Sequence, residues 1–334
     1  MKLKDIFFLT VINYILYINM TIKTLYLPRL ITDDELGTLK GTFIDDGYIV
    51  HTIDSDVDIY DEETKEFICS FRKRRLKTSK IGFDNFKHLS VASRGRGASA
   101  GPIDPTSQYW KKKTLHKTKG FRTSYLKKDG TPSKMKVHNQ VLSTNVGFFD
   151  KMKLIGIEKP CRLTYHTTQA LKEFEAGKPF IYEIDRWFNK MRPIEYKIQI
   201  DRANLQPKYK IDHTSFSTIT MNRNFRTALH HDVGDYNHIA CLTVNEYGKY
   251  NGGLYTIPGY AIGINLREGD MLVANVGNYH SNTEIYTTAE QDEYNAKLPK
   301  LFKENWKVGT IGTCRDYARI SYVCYLREKL INCE

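Results

Sequence analysis

Cysteine is scarce in this sequence: 6 residues in 334, at Cys69, Cys161, Cys241, Cys314, Cys324 and Cys333, with no C-x-x-C pair. That scatter argues against a structural zinc site and a small disulfide scaffold, and a reducing compartment is the simpler reading. Long apolar runs are equally scarce. Residues 6–18 follow Lys2 and Lys4 in the manner of a signal peptide, but Asn13 interrupts the run, no small-residue cleavage site follows, and it is short for a membrane span. Residues 1–19 are therefore expected to be a leader or an upstream misassigned start, with the folded chain opening at Met20. Acidic residues are outnumbered, 38 against 50 Lys and Arg, which leaves a net charge of +12 and a pI near 9.2. Such a surplus points to an anionic partner, of which nucleic acid is the commonest. What the chain does have is 41% apolar and 12% aromatic content, enough for one large or two modest folded domains.

Residues 20–70 mix short β-like runs with acidic turns and carry no obvious chemistry. A basic block follows, Arg72-Lys73-Arg74-Arg75 with Lys77 and Lys80, which reads either as a solvated face or as a phosphate contact. Residues 93–104 are rich in glycine and small residues around Arg94 and Arg96, so that their backbone could approach a phosphate chain closely. In Tyr109-Trp110-Lys111-Lys112-Lys113 and on to Lys128, aromatics alternate with cations, as suits stacking on bases and pairing with phosphates. Arg94, Arg96, Lys111, Lys112 and Lys113 are thus expected to meet a DNA backbone. A flexible loop and an ordinary basic hairpin are the alternatives.

Residues 139–150 read as a loop and 160–166 as a strand. Apolar residues at three- and four-residue spacing over 167–206 predict two helices divided at Pro193. Beyond residue 209, strands are expected at 216–220, 239–244, 253–257, 261–264, 271–274 and 320–326, separated by Gly and Asp turns. The pattern predicts an α+β chain forming a single domain: a double-stranded β-helix, or jelly roll, over 207–330, with flanking helices and a basic N-terminal part over 20–206.

The chemistry centres on His230-x-Asp232. Two residues apart on a strand, the imidazole and carboxylate share a face, while His231 points the other way. His280, 48 residues beyond Asp232 and directly after the strand at 271–274, supplies a third ligand. Two histidines and one carboxylate hold Fe(II) on one face and leave positions open for oxygen and a cosubstrate. Arg319 and Ser321, on one face of the last strand, suit the distal carboxylate of 2-oxoglutarate, because a guanidinium fork binds a carboxylate bidentately. Tyr255 and Arg226 are expected to line the same pocket.

The segments Phe216-Ser217-Thr218-Ile219-Thr220-x-Asn222-x-Asn224-Phe225-Arg226-Thr227-Ala228-x-His230-x-Asp232-x-Gly234-Asp235, Tyr250-x-Gly252-Gly253, Gly269-Asp270, His280-x-Asn282-Thr283 and Arg319-Ile320-Ser321-Tyr322-Val323-Cys324-Tyr325 resemble the TET/J-binding-protein family of Fe(II)- and 2-oxoglutarate-dependent nucleic-acid dioxygenases. The resemblance covers roughly residues 90–328 and is nearest to phage and viral members. It implies oxidation of the methyl group of a 5-methylpyrimidine in DNA, on a flipped base. The chain is expected inside the cell, in a host nucleus or cytoplasm, and as a monomer. The resemblance also implies that His230, Asp232 and His280 bind iron, that Arg319 and Ser321 hold 2-oxoglutarate, and that Asp235, Tyr325, Asn145 and Arg327 surround the base. Arg327 stands where some relatives have a histidine. A carboxylate at Asp235 accepts from the cytosine 4-amino group and opposes the thymine 4-carbonyl, which favours 5-methylcytosine. Thymine hydroxylation, an inactive basic DNA-binding module and a protein side-chain hydroxylase are the rival readings.

Overall fold

The computed structural model describes residues 22–93, 96–103, 115–117, 123–154, 156–302, 310–311 and 316–333. Residues 1–19, Arg94, Lys111, Lys112 and Lys113 lie outside the described residues. In chain order, the elements that build the core begin with β1 (Lys23–Leu27), α1 (Asp33–Thr38), β2 (His51–Ile53), β3 (Val57–Asp61), β4 (Phe67–Arg72) and α2 (Ser79–Phe86). Then come β5 (Gln140–Phe149), the long helix α3 (Leu171–Met191) and α4 (Pro193–Asn204). The remaining strands are β6 (Thr218–Arg223), β7 (Asp235–Tyr247), β8 (Tyr255–Ile257), β9 (Ile262–Ile264), β10 (Met271–Asn275), β11 (Ser281–Asn282) and β12 (Ala318–Arg327).

A large sheet runs in the order β1-β3-β4-β10-β7-β12-β6-β5, and a smaller one in the order β11-β8-β9-β2. Pairing along the large sheet is antiparallel except at β1 and β3. The two sheets and their helical layer fit the jelly-roll expectation. Strands from before residue 207 complete both sheets, so a division at 206 does not separate the core from what precedes it.

Period-two alternation gives the large sheet two different faces. On one, Ile219 and Met221 of β6 and Ile320, Tyr322 and Cys324 of β12 pack against Phe174, Phe180, Ile181, Ile184 and Phe188 of α3. Those helix positions recur at three and four residues, so one stripe of α3 is buried along its length. The helices α2 and α3 meet closely because a Cβ on Gly177 would lie 2.1 Å from the Phe86 ring, and one on Gly82 would lie 2.4 Å from Phe180. Pro193 divides α3 from α4: it lacks the N–H that a continuing helix would need, and it suits the first turn of the next. On the other face, Ala240, Leu242 and Val244 of β7 pack on Tyr255, Ile257, Ile262 and Ile264 of the small sheet.

Three expectations are corrected. Residues 139–150 are not a loop but carry β5, which pairs with β6 and with the short edge strand Arg162–Leu163. Its polar residues disguised it: Ser143 hydrogen-bonds Asn222 inside the protein, and Gly147 at φ +92° takes a conformation in which a Cβ would strike Ser217 O. The basic block is partly neutralised within the fold rather than wholly available to a phosphate. Arg72 is buried and donates to both carboxylate oxygens of Asp58, while Lys73 pairs with Asp54 and Arg75 with Asp56. Finally, Cys161 and Cys333 form a disulfide, 172 residues apart in sequence, against the simpler reading of a reducing compartment. Among the described residues, no helix is long and apolar enough to cross a membrane.

Candidate metal centre and its cavity

A cavity of about 410 Å³ opens between the two sheets at the end where β6 gives way to β7. Its floor follows from strand register. Asn222 lies opposite Ser321 and Thr220 opposite Val323, and alternation then brings Arg319, Ser321, Val323, Tyr325 and Arg327 of β12 to the cavity side.

After β6 the chain turns through Asn224, at φ +46°, and crosses the cavity mouth before β7 begins. His230 is not on a regular strand, contrary to expectation. It forms an isolated bridge with His280, in which each backbone N–H donates to the other's carbonyl at 3.0 and 2.8 Å. Asp232 N donates to Val276 O at 2.9 Å, so the segment stays extended and the period-two geometry survives without a ladder. On its other side, Leu229 exchanges two backbone hydrogen bonds, Leu229 N to Thr42 O and Gly41 N to Leu229 O, both 2.8 Å.

This bracing brings His230, Asp232 and His280 together, with one potential ligand atom from each lying within 4.8 Å of the others. The histidine nitrogens are pre-assigned. With Nδ1 of His230 donating to Ala228 O at 2.7 Å and Nδ1 of His280 to Asn278 O at 2.9 Å, each Nε2 keeps its lone pair for a metal. Burial, reinforced by the neighbouring His230, pushes the His280 pKa down to about 4, so its imidazole is neutral at physiological pH. With His280 neutral, its Nε2, 3.8 Å from Asp232 Oδ2, forms no salt bridge there, and both atoms would be free to hold one metal ion. Two imidazole nitrogens, a carboxylate and an open side toward the cavity fit a divalent iron.

Arg319, 3% exposed, lies in the same cavity. Its Nε has no hydrogen-bond partner among the described residues, and neither does the buried Tyr255 hydroxyl, whose ring stacks on His280. Buried donors left open in this way ask for an acceptor. Asn224 fixes the strand behind the guanidinium: its Oδ1 accepts from Arg319 N at 2.8 Å and its Nδ2 donates to Tyr317 O at 3.0 Å. Gly253 lets the chain pass close over it, since a Cβ there would come within 3.2 Å of Arg319 Cδ and Nε. Ser321 accepts a long hydrogen bond from Asn222 Nδ2 at 3.5 Å. These groups fit a dicarboxylate.

At the other end of the cavity stand Asp235, Tyr325, Asn145 and Arg327. Asp235 opens β7 opposite Arg327, ahead of a bulge whose Asn237 and His238 take positive φ. Such a bulge re-aims a side chain. Burial, and next the charge of Asp232, raise the Asp235 carboxyl well above its ordinary value against the pull of Arg327. Arg327 is tethered sideways, its Nε donating to Asp150 Oδ1 at 2.6 Å. Asn145 Nδ2 donates to Tyr325 Oη at 3.3 Å.

Two arginines are not where the sequence put them. Arg226, expected beside the cosubstrate, points away from the cavity: it stacks on Phe43 and donates to Ile44 O. Arg96, expected on a DNA backbone, is a half-buried cavity residue whose Nη2 donates to Asn145 Oδ1 at 2.6 Å. Asn222, Asn224 and Lys40 also serve the cavity. The two asparagines stand at period two in the 216–235 segment, which is a usable signal in the sequence; nothing in the sequence around Lys40 marks it.

The Tet_JBP family model, described as the oxygenase domain of the 2OGFeDO superfamily, matches residues 144–328, more than half of the chain. A bifunctional helicase and thymine dioxygenase JBP2 of Trypanosoma cruzi (strain CL Brener) is 30% identical over 189 residues, covering 56% of this chain and 15% of that protein. Thymine dioxygenase JBP1 of Leishmania braziliensis is 28% identical over 182 residues, covering 53% of this chain and 21% of that protein. The chain thus spans under a quarter of the length of these curated relatives. The solved structure of NgTET1 in complex with 5mC DNA is 11% identical, with a TM-score of 0.48 over 84% of this chain and 80% of that one.

Proposed function

Because the chain belongs to the Tet_JBP family, the oxygenase domain of the 2OGFeDO superfamily, we propose that it oxidises the methyl group of a 5-methylpyrimidine base in DNA. The observation that carries this reading is that one cavity holds both the His230, Asp232, His280 cluster and the buried Arg319 guanidinium. Fe(II) and 2-oxoglutarate are the cofactors of the superfamily; together they couple the reduction of molecular oxygen to oxidation of a C–H bond, releasing succinate and carbon dioxide and leaving a hydroxymethyl group.

The chain's own residues do the positioning. His230 and His280 present their Nε2 atoms and Asp232 its carboxylate to the metal, with both rings locked by their backbone carbonyls. Arg319 pairs with the distal carboxylate of 2-oxoglutarate, and Ser321 adds a hydroxyl. The flipped base enters from the Tyr325 end, where that ring offers a stacking face and Asn145 and Asp235 offer polar edges. The two sheets exclude water around the methyl group. On this reading, residues 22–333 act as one catalytic unit with a jelly-roll core.

Within the substrate class, an ionised Asp235 favours 5-methylcytosine, whose 4-amino group donates to a carboxylate. Thymine is the second reading. A buried Asp235 carboxyl with a raised pKa, if it keeps its proton, donates to a 4-carbonyl instead, and both curated relatives above are thymine dioxygenases by name. Incubation with Fe(II), 2-oxoglutarate and duplexes carrying either base, followed by mass analysis of the nucleosides, tests the proposal. A hydroxymethyl product from 5-methylcytosine supports the first reading, and one from thymine alone replaces it with the second. Failure to form succinate or any product with either duplex refutes the enzyme.

A further inference from the structure

The lip of the cavity carries two side chains for which the described residues offer no partner. Val233 lies between the ligand Asp232 and Gly234, lines the cavity, and is still 71% exposed. At the adjoining Gly234, an added Cβ would meet nothing within 4 Å among the described residues, so the tip of this segment projects into open space. Lys40 lines the same cavity and is half-buried, yet its ammonium makes no ion pair among the described residues. It is tied to the metal-binding segment through the backbone pairing of Gly41 and Thr42 with Leu229, and it comes from a part of the chain outside the family match.

A single exposed valine is ordinary on a protein surface. A branched apolar tip and a cation with no ion pair among the described residues, both lining one base-sized cavity, are a more specific arrangement. Taking a base out of a duplex leaves a gap between its neighbours, and proteins that open such steps commonly fill the gap with an apolar wedge while cations hold the adjoining phosphates. Resting on the DNA-oxidation reading above, we infer that Val233 enters the base stack where the target base has left it, and that Lys40 binds a phosphate of the same strand. The wedge is thereby covalently adjacent to a metal ligand, so insertion and placement of the methyl group over the metal are one movement.

The test uses the full chain and duplexes in which the target base is either correctly paired or mismatched, with 2-aminopurine beside it. A mismatched base is easier to extrude and has less need of a wedge. In Val233→Ala the ratio of kcat/KM on mismatched over paired duplex should rise about tenfold, because the smaller side chain buries less apolar surface in the gap. The 2-aminopurine fluorescence increase on binding should shrink, and Val233→Leu should restore both. Damage to the metal centre would lower turnover on both duplexes alike and leave the ratio unmoved, and an unmoved ratio overturns the wedge. For Lys40→Ala, the slope of log affinity against log salt should become shallower by about one, the signature of one phosphate fewer neutralised; an unchanged slope overturns that assignment. Wild-type protein that binds and oxidises neither duplex would instead refute the DNA reading on which this rests.

Discussion

Arg319→Lys is the sharpest probe of the cosubstrate site. The native guanidinium is 3% exposed, its Nε lacks a partner among the described residues, and Asn224 and Gly253 pin the strand and the chain above it. A guanidinium fork makes two parallel bonds to a carboxylate, whereas a lysine ammonium acts as a point charge at a different depth. Removing one charged hydrogen bond while retaining the charge corresponds to about 1.5–3 kcal/mol, so the KM for 2-oxoglutarate should rise about 10- to 150-fold. The KM for DNA should change little. Steady-state succinate formation with varied 2-oxoglutarate at saturating duplex measures the first quantity, and varied duplex at saturating 2-oxoglutarate the second. Arg226→Ala is the companion variant: its side chain rests on Phe43 and Ile44 O outside the cavity, so it should leave the 2-oxoglutarate KM near wild type. An unchanged KM in Arg319→Lys, or an equal rise in both variants, would refute the assignment of Arg319 to the cosubstrate.

His230→Ala, Asp232→Ala and His280→Ala should each abolish iron binding, read by metal content, and turnover, while circular dichroism stays native. His231→Ala should retain much of the activity, because that ring stacks on Tyr279 rather than joining the ligand set. In the metal-free protein, the His280 pKa near 4 lies below the ordinary 6.5. The unfolded chain therefore takes up a proton there that the folded one refuses, and stability should fall as pH drops from about 6.5 to 4. Urea unfolding of wild type against His280→Asn checks this, with a weaker pH dependence expected in the variant. Reducing Cys161–Cys333 opens a loop of 172 residues, for which chain entropy gives an upper bound of about 5 kcal/mol. Denaturant midpoints with and without reductant measure it, and Cys161→Ser should abolish the difference.

Much of the fold and site was legible because it rests on local periodicity. The spacing of Phe180, Ile181, Ile184 and Phe188 marked the long helix, and Pro193 its end. Alternation put Arg319 and Ser321 on one face of the last strand, and they do share the cavity. The H-x-D spacing placed two ligands together for a reason that needed amendment: the segment is extended, yet it is held by a bridge to His280 and by residues 41 and 42 rather than by a strand ladder.

What the sequence could not supply were pairings between distant segments. Ser143 and Asn145 read as loop residues because nothing local shows that β6 hydrogen-bonds them into a buried strand. The basic block looked available until the acidic residues 54–58 folded against it. Arg96 and Arg226 are each an arginine in a plausible motif; only packing decided that the first lies within the cavity and the second outside it. By itself the sequence determined the ligand types, their order and the faces they share, since these follow from side-chain chemistry and the strand period. Tertiary structure alone decided which cations are free, which nitrogen of each histidine is open, and that Lys40 and Val233 stand at the mouth, because each depends on how segments far apart in the chain pack together.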